Sequence, residues 1–515
     1  MSPSRPRALA LAGAALALVL TAAGCGAGAD DDGRGGDSGK DGAARSGAAG
    51  DWKPCAAPTA AQGGGKAPGK GWECTTLPVP LDYGKPDGPK IDLALIRSRA
   101  TDRAHRIGSL VFNFGGPGGS GVATLPELAK SYAGLHARYD LVSFDPRGVG
   151  ESAGVRCLGD RELDAAESTD ATPDDAGEIT AALAQNKRYV QACDRNSGKV
   201  LPHVGTTDAA RDLDRLRAAL GDEKLNYFGI SYGTELGGVY AHLFPKRVGR
   251  AVLDAVVDPS QDPVEGTLAQ AKGFQLALGD YLKDCAKGAA ASSCPTQESI
   301  TALLKRLDSR PLPTTQKDRP LTQDQAVNGI AAALYSEDTW KYLTAGLREA
   351  GTKGTGTTLQ LLSDSLAGRS PDGHYSNLQA ANRAITCADA QQRYTADDIA
   401  ARLPAFRSAA PVFGESAAWA LLQCTDWPVK GAWKTPDVGA AGSAPIVVIG
   451  NTGDPATPYE GARTMAERLG KGVGVTVTYR GEGHGAYNSG NRCMTRLVDG
   501  YLLDGTVPKE GTTCS

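Results

Sequence analysis

A serine between two glycines is the strongest chemical signal in this sequence. Ser231 is the central residue of Gly-Ile-Ser-Tyr-Gly at 229–233, which matches G-x-S-x-G. Residues 225–229 have a strand pattern and residues 232–243 have helical spacing, the context in which this motif carries a nucleophile. The flanking glycines permit a tight strand-to-helix turn, and the start of the helix favours a developing negative charge. We therefore predict that Ser231 is a nucleophile.

A serine nucleophile needs a base, and the sequence has six histidines. His484 lies between two glycines, follows a strand pattern at 473–479 and comes after Ser231 in the chain, as a Ser…Asp…His order requires. His242 falls within the helix after Ser231 and is expected to point away from the sheet edge. His203 lies in a loop before a helix and stays an alternative. His484 is the predicted base.

The acid that orients the base is expected after a strand between these two residues. Asp454 directly follows the strand pattern at 446–449 and is the predicted acid. Asp254 and Asp258, after a short strand at 251–253, are alternatives that turn and capping roles would also explain. Thr457 either supports the Asp454 loop or caps the helix that follows.

A glycine-rich segment at 112–121 follows another predicted strand. It lacks the G-x-x-x-x-G-K-[ST] pattern of a phosphate-binding loop. We interpret it as an oxyanion-hole loop and predict that the N–H groups of Gly116 and Tyr232 bind the oxyanion. Asp145 and Arg147 are predicted to form a structural ion pair that supports this loop.

Alternating strand and helix patterns determine the predicted architecture. They indicate the α/β class, as an α/β-hydrolase fold with a mostly parallel sheet and helices on both faces. Strand patterns are missing from 261–430, where amphipathic helical patterns predict a helical cap. The core is then formed by 51–260 together with 431–515, the part that carries the acid and the histidine.

The first residues have the layout of an export signal. Residues 1–24 have Arg5 and Arg7, a short apolar run and small residues before Cys25, which predicts a signal peptide. Cys25 follows Ala-Ala-Gly and is predicted to be lipidated; ordinary cleavage and free secretion are the alternative. Residues 25–50 are mostly small or polar and are interpreted as a flexible linker.

Ten further cysteines fall in neighbouring pairs. Sequential pairing is our prediction, although sequence alone leaves the connectivity open; the pairs are Cys55–Cys74, Cys157–Cys193, Cys285–Cys294, Cys387–Cys424 and Cys493–Cys514. This many cysteines favours an oxidising compartment, and therefore an exported protein that is secreted or held at the cell envelope. None has the spacing of a zinc site, so neither a metal nor a cofactor is expected.

Charge and hydropathy exclude other classes of partner. With 55 Lys+Arg against 58 Asp+Glu, the net charge of −3 leaves no broad basic surface for nucleic acid. No segment has the ~18 apolar residues of a membrane-spanning helix. Membrane attachment is therefore expected only through a lipid at Cys25, and a monomer is predicted.

Several motifs together resemble a known family. They are the segments 114–121, 144–150, 229–234, 453–458 and 483–485. From about Trp72 to the C-terminus the chain resembles the secreted tripeptidyl aminopeptidases, which are related to prolyl iminopeptidases. The cap is matched only loosely, and Asn113-Phe114 stands where prolyl iminopeptidases have His.

The resemblance implies an exported serine exopeptidase that releases tripeptides from free N-termini. Such an enzyme must bind a protonated α-amine, which requires a carboxylate in the cap. Asp389 is the predicted residue, with Glu337, Glu415 and Asp426 as alternatives. An esterase or amidase of small molecules is the main alternative function, because the same triad cleaves both bonds. A catalytically silent binding lipoprotein is a further alternative.

Overall fold

A twisted sheet organises the protein in this computed structural model, which describes residues 49–287 and 294–515. The predicted signal peptide, Cys25 and nearly all of the predicted linker lie outside the described residues. The strands are β1 (Lys53–Pro54), β2 (Trp72–Pro80), β3 (Lys90–Ser98), β4 (Gly108–Asn113), β5 (Tyr139–Phe144), β6 (Leu225–Ser231), β7 (Val248–Val256), β8 (Ile446–Gly453), β9 (Gly474–Glu482) and β10 (Thr512–Cys514).

The strand order is β1-β2-β3-β5-β4-β6-β7-β8-β9-β10. In this spatial order, neighbouring strands are antiparallel from β1 through β2 and β3 to β5. From β5 through β4, β6, β7, β8 and β9 to β10, each strand is parallel to its neighbours on that side. The carboxyl ends of β4 and of β6 to β9 therefore lie at one edge of the sheet. This arrangement confirms the predicted α/β-hydrolase architecture.

Helices cover both faces of the sheet and fill the segment between β7 and β8. They are α1 (Gly121–Leu128), α2 (Ala133–His136), α3 (Asp160–Ala166), α4 (Ala176–Ser197), α5 (Thr206–Ala219), α6 (Tyr232–Leu243), α7 (Pro263–Lys287), α8 (Gln297–Ser309), α9 (Gln323–Leu334), α10 (Trp340–Arg348), α11 (Thr357–Ala367), α12 (Leu378–Asp389), α13 (Ala396–Ala409), α14 (Gly414–Ala420), α15 (Glu460–Leu469) and α16 (Arg492–Asp504).

The central strands are buried on both faces, which explains their continuous apolar runs. Every residue of β4 and β5 is buried. Val111 and Val142 belong to the apolar cluster on one face, and Leu110 and Leu141 belong to the cluster on the other. Alternate residues of a strand point to opposite faces, so one run of apolar residues supplies two cores.

The insertion α7–α14 is helical and has an apolar core that includes Phe274, Tyr281, Leu343 and Leu359. The helical patterns at 267–283, 297–307, 323–334, 339–350 and 359–366 correspond to α7–α11 with small boundary errors, but no pattern predicted α12, α13 or α14. It also missed α4 and the strand β2, which contains Pro78 and Pro80.

Five disulfides join the ten cysteines in the predicted sequential pairs. Cys157–Cys193 connects the segment after β5 to α4, and Cys387–Cys424 connects α12 to the turn after α14. This content is typical of proteins that fold in an oxidising compartment and indicates export. Within 49–287 and 294–515, no helix combines the length and apolar character needed to span a bilayer.

Candidate active site

Ser231 lies at the turn from β6 into α6 in a backbone conformation that L-residues rarely adopt. Its φ is 57° and its ψ is −127°. Such strain costs about 1–3 kcal/mol and persists only where the surroundings impose it. Here they do: a Cβ on Gly229 would lie 2.4 Å from the Gly233 carbonyl oxygen, and a Cβ on Gly233 would lie 2.5 Å from that of Asn113. The two glycines of the motif are therefore required for packing around the serine.

The loop after β4 also approaches the serine through a glycine. A Cβ on Gly115 would lie 2.7 Å from both Ser231 Cβ and the Ile230 carbonyl oxygen. Gly116 and Tyr232, the two predicted oxyanion-binding residues, line the same cleft as Ser231. Tyr232 is the first residue of α6, so its N–H is at the helix N-terminus. The sequence analysis did not identify Gly115, the residue closest to the serine on this side.

Asp454 and His484 are joined at the carboxyl edge of the sheet. His484 Nδ1 lies 2.9 Å and 3.1 Å from the two Asp454 carboxylate oxygens. The N–H groups of Ala456 and Thr457 each donate to Asp454 Oδ1 at 2.9 Å, which keeps the carboxylate in place. Thr457 Oγ1 is a further 3.5 Å neighbour of His484 Nδ1.

The electrostatic balance at His484 favours a positive imidazole. Burial lowers the pKa of His484, but the Asp454 carboxylate and its hydrogen bond outweigh burial, and the charge of Asp254 adds to them, so the pKa is raised above 6.5. An acid that stabilises an imidazolium in this way is what a serine hydrolase requires during proton transfer.

Asp254, an alternative acid in the sequence analysis, has a different position. Its carboxylate accepts the N–H groups of Ala486 at 2.9 and 3.0 Å and of Tyr487 at 2.9 Å. Asp254 is paired in register with Ile230, the residue before Ser231. Asp254 therefore binds the loop that carries His484 to β7, the strand that pairs with β6, and β6 ends at Ser231. Asp258, the other alternative, accepts from the N–H and hydroxyl of Ser260.

The other histidines make unrelated contacts. His242 Nδ1 bonds the Gly439 carbonyl oxygen at 2.8 Å, and the His203 carbonyl accepts from Arg147. Neither arrangement connects these rings to the Asp454 carboxylate.

The predicted ion pair between Asp145 and Arg147 is wrong. Arg147 is fully buried and binds Asp212 of α5 through two nitrogens, at 2.6 and 2.7 Å. Asp145 instead accepts the Ser120 hydroxyl at 2.6 Å and the Val122 N–H at 3.2 Å. The physical reason is that each buried group is satisfied by a nearer partner. Asp145 nevertheless supports the glycine-rich loop through Ser120.

A cleft of about 490 Å³ opens beside the serine. It lies between α6, the start of α7, the end of α12 and the loop after Asp454. Ser231, Gly116, Glu235, Asp389 and Thr457 are among the lining residues. This volume accommodates a short peptide or a small ester.

Asp389 lines this cleft but its carboxylate is already bonded. Its Oδ1 accepts the Thr206 N–H at 2.9 Å, and its Oδ2 accepts the Thr206 hydroxyl at 2.6 Å. The Thr206 hydroxyl in turn contacts the Tyr232 hydroxyl at 2.6 Å. Burial, with the neighbouring charge of Glu235, raises the pKa of Asp389 well above its usual value. The amine-binding role of Asp389 stays a prediction.

The alternative carboxylates Glu337, Glu415 and Asp426 are absent from the cleft lining in the described residues, and Glu415 is paired with Arg407. Glu235, which the sequence analysis missed, does line it. One feature of the sequence could have indicated Glu235: it is a single carboxylate in a helix whose neighbouring positions, including Leu236 and Val239, are apolar and buried.

Comparisons with known proteins agree with this geometry. A family model described as TAP-like protein matches residues 410–514. Serine protease Hip1 of Mycobacterium tuberculosis is 38% identical over 481 residues, covering 90% of this chain and 90% of the relative. Carboxylesterase B of the same species is 37% identical over 459 residues, covering 86% of each.

Tripeptidyl aminopeptidase of Streptomyces lividans is 34% identical over 492 residues, covering 92% of this chain and 88% of the relative. Similarity at this level extends over nearly the whole length of the chain. The chain therefore belongs to the tripeptidyl aminopeptidase family and is a serine peptidase of the α/β-hydrolase fold.

Proposed function

We propose that this serine peptidase is an exopeptidase that releases short peptides, tripeptides by its family resemblance, from free N-termini. The observation that carries the proposal is the Asp454–His484 pair at the sheet edge that also presents the strained Ser231, beside a cleft with acidic residues. The relative named tripeptidyl aminopeptidase supports the size of the released peptide.

The proposed reaction is acyl transfer through Ser231. His484 takes the hydroxyl proton as Ser231 Oγ attacks the scissile carbonyl carbon, and Asp454 stabilises the resulting imidazolium. The N–H groups of Gly116 and Tyr232 bind the oxyanion. His484 then donates the proton to the leaving amine, the C–N bond breaks, and water hydrolyses the acyl-enzyme by the same steps in reverse.

Recognition of the free N-terminus is assigned to the acidic part of the cleft. A protonated α-amine near Asp389 would meet a region of negative charge in a partly desolvated site, where such an attraction is stronger than in water. An acylated N-terminus has no positive charge and gains nothing there.

Ester hydrolysis is the second candidate function, because one relative is named carboxylesterase B. The same triad cleaves esters, so the two functions differ in what the cleft recognises rather than in the reacting groups.

The test compares Ala-Ala-Ala p-nitroanilide with its N-acetylated form on the purified mature protein. We expect a much higher kcat/KM for the free substrate, and Ser231→Ala to reduce activity by up to ~10⁶-fold. Equal rates on the two anilides would contradict the exopeptidase proposal. Fast cleavage of short-chain esters with no anilide cleavage would favour the esterase.

We also infer that the exported protein is lipidated at Cys25 and acts as a monomer on peptide substrates. Mass spectrometry of the mature N-terminus tests the first point: we expect Cys25 as the first residue with an attached diacylglycerol, and loss of both in Cys25→Ala. An unmodified N-terminus at another residue would contradict it. Size-exclusion chromatography with light scattering tests the second.

A further inference from the structure

Glu235 is an unpaired carboxylate in the cleft beside the serine. It lies on α6, one helical turn after Ser231, and lines the cleft. Its side chain makes no hydrogen bond or ion pair with any residue of 49–287 or 294–515, whereas both oxygens of Asp389 are bonded to Thr206. Of these two neighbouring acids, Glu235 is the one with all its acceptor capacity available for a ligand.

We propose that Glu235 binds the ammonium group of the substrate's free N-terminus and so determines the preference for unblocked peptides. This inference rests on the exopeptidase proposal and names the residue that recognises the N-terminus. Asp389, whose oxygens are bonded to Thr206, then positions Tyr232 through Thr206 rather than making the main contact.

The chemistry of the site favours a cation at this position. Burial raises the pKa of Glu235 to about 7, which shows that the carboxylate has no compensating partner in the free enzyme. An ammonium group would provide that partner and restore the charged form. Gln392, which also lines the cleft, has a buried Oε1 that accepts no hydrogen bond within the described residues.

The spacing suits a short acyl peptide. Ser231 immediately precedes α6 and Glu235 lies in its first turn, so both groups are at the same end of this helix and line the same cleft. An extended peptide advances about 3.3–3.6 Å per residue. A peptide with its amine at Glu235 and its scissile carbonyl at Ser231 therefore has only a few residues between these points. A long N-terminal extension would not fit between the same two groups.

The test measures kcat/KM of Glu235→Gln for Ala-Ala-Ala p-nitroanilide and its N-acetylated form. We expect the ratio of free to blocked substrate to fall ~10- to 100-fold, mainly through KM of the free substrate, because a charged hydrogen bond is lost. Glu467→Gln is the matched control: Glu467 is an exposed carboxylate of α15 that is not among the residues lining the cleft, and its removal should leave the ratio at the wild-type value. Stoichiometric labelling of Ser231 by a fluorophosphonate verifies that each variant is folded.

Two outcomes would overturn the proposal. One is an unchanged ratio in Glu235→Gln. The other is a selective loss of Ala-Ala-Lys p-nitroanilide cleavage with an unchanged ratio, which would show that Glu235 binds a basic side chain instead. Glu235→Asp keeps the charge and should recover part of the ratio; it also replaces Glu235→Gln if that variant fails to fold. Failure of the exopeptidase proposal is seen separately, as a wild-type ratio near one.

Discussion

The backbone N–H of His484 donates a hydrogen bond to the backbone carbonyl of Tyr335 at 2.8 Å. Tyr335 directly follows α9, so the cap is bonded to the loop that carries the predicted base. The Tyr335 ring also packs edge-on against the imidazole, with centroids 5.2 Å apart and planes at 84°. The cap and the loop that carries His484 are therefore packed together, and the cap contributes to the position of His484.

Replacing the Tyr335 ring tests this contact. In Tyr335→Ala the carbonyl remains but the imidazole loses its packing partner, so we expect kcat to fall about 10-fold by analogy with other losses of positioning. Tyr335→Phe keeps the ring, and its hydroxyl makes no hydrogen bond within the described residues, so it should retain near wild-type kcat. Equal activity of the Ala and Phe variants would show that the ring does not position His484.

The pH dependence of kcat/KM reports the Asp454–His484 pair. The base must be neutral to accept a proton, and its pKa is raised above 6.5, so activity should rise with pH through a value above 6.5. In Asp454→Asn the main raising influence is lost while burial still lowers the pKa. We expect the acidic limb to move to lower pH and kcat to fall ~10⁴-fold. An unmoved limb would mean that another group titrates there.

Asp254 is predicted to position the His484 loop. Asp254→Ala leaves the N–H groups of Ala486 and Tyr487 without their acceptor in a buried site, at a cost of about 1–3 kcal/mol in the free energy of unfolding. We expect a lower Tm together with a lower kcat and a nearly unchanged KM, because the loop rather than the cleft is disturbed.

The control for this variant is Asp258→Ala, which removes the bonds from the Ser260 N–H and hydroxyl and leaves the His484 loop bonded to Asp254. It should change kcat far less than Asp254→Ala does. If both variants lower Tm and kcat equally, the effect of Asp254 is general destabilisation rather than positioning.

Gly115 is predicted to be irreplaceable. A Cβ at this position would lie 2.7 Å from Ser231 Cβ, and the φ of +93° is already unfavourable for other residues. Gly115→Ala should therefore displace the loop or the serine and reduce kcat at least ~10²-fold, as loss of an oxyanion donor does. Gly279→Ala, at a helical position with open space around it, should leave activity unchanged and should not lower Tm, because alanine is the better helix former. A fully active Gly115→Ala enzyme would contradict the packing argument.

The order of residues along the chain was enough to predict which polar groups lie at the ends of strands. Ser231, Asp454 and His484 each follow an apolar strand pattern, and parallel strands place such positions at a common edge. Two of the missed helices lack a clean pattern: α13 contains Pro404, and α14 has only 7 residues. Such segments are helical because tertiary packing outweighs weak local preference.

Local sequence patterns did not predict the partners of the buried charged residues. Arg147 binds Asp212, 65 residues away along the chain, and not the nearby Asp145. In the sequence, Glu235 is one polar residue of a helix, and only the placement of the start of α7 and the end of α12 around the cleft makes it part of that cleft. These choices depend on distances between elements, which sequence separation does not encode.

The sequence by itself determined the fold class and supplied the prediction of the reacting side chains and their order, since these depend on hydropathy periodicity and on motifs at strand ends. Only the tertiary structure decided that Asp254 fastens the His484 loop, that Gly115 is the glycine against the serine, and that Glu235 is left unpaired beside Asp389. The physical reason is that strand and helix patterns are local properties of the chain, whereas the balance of burial and hydrogen bonding at each polar group is set by residues brought together from distant segments.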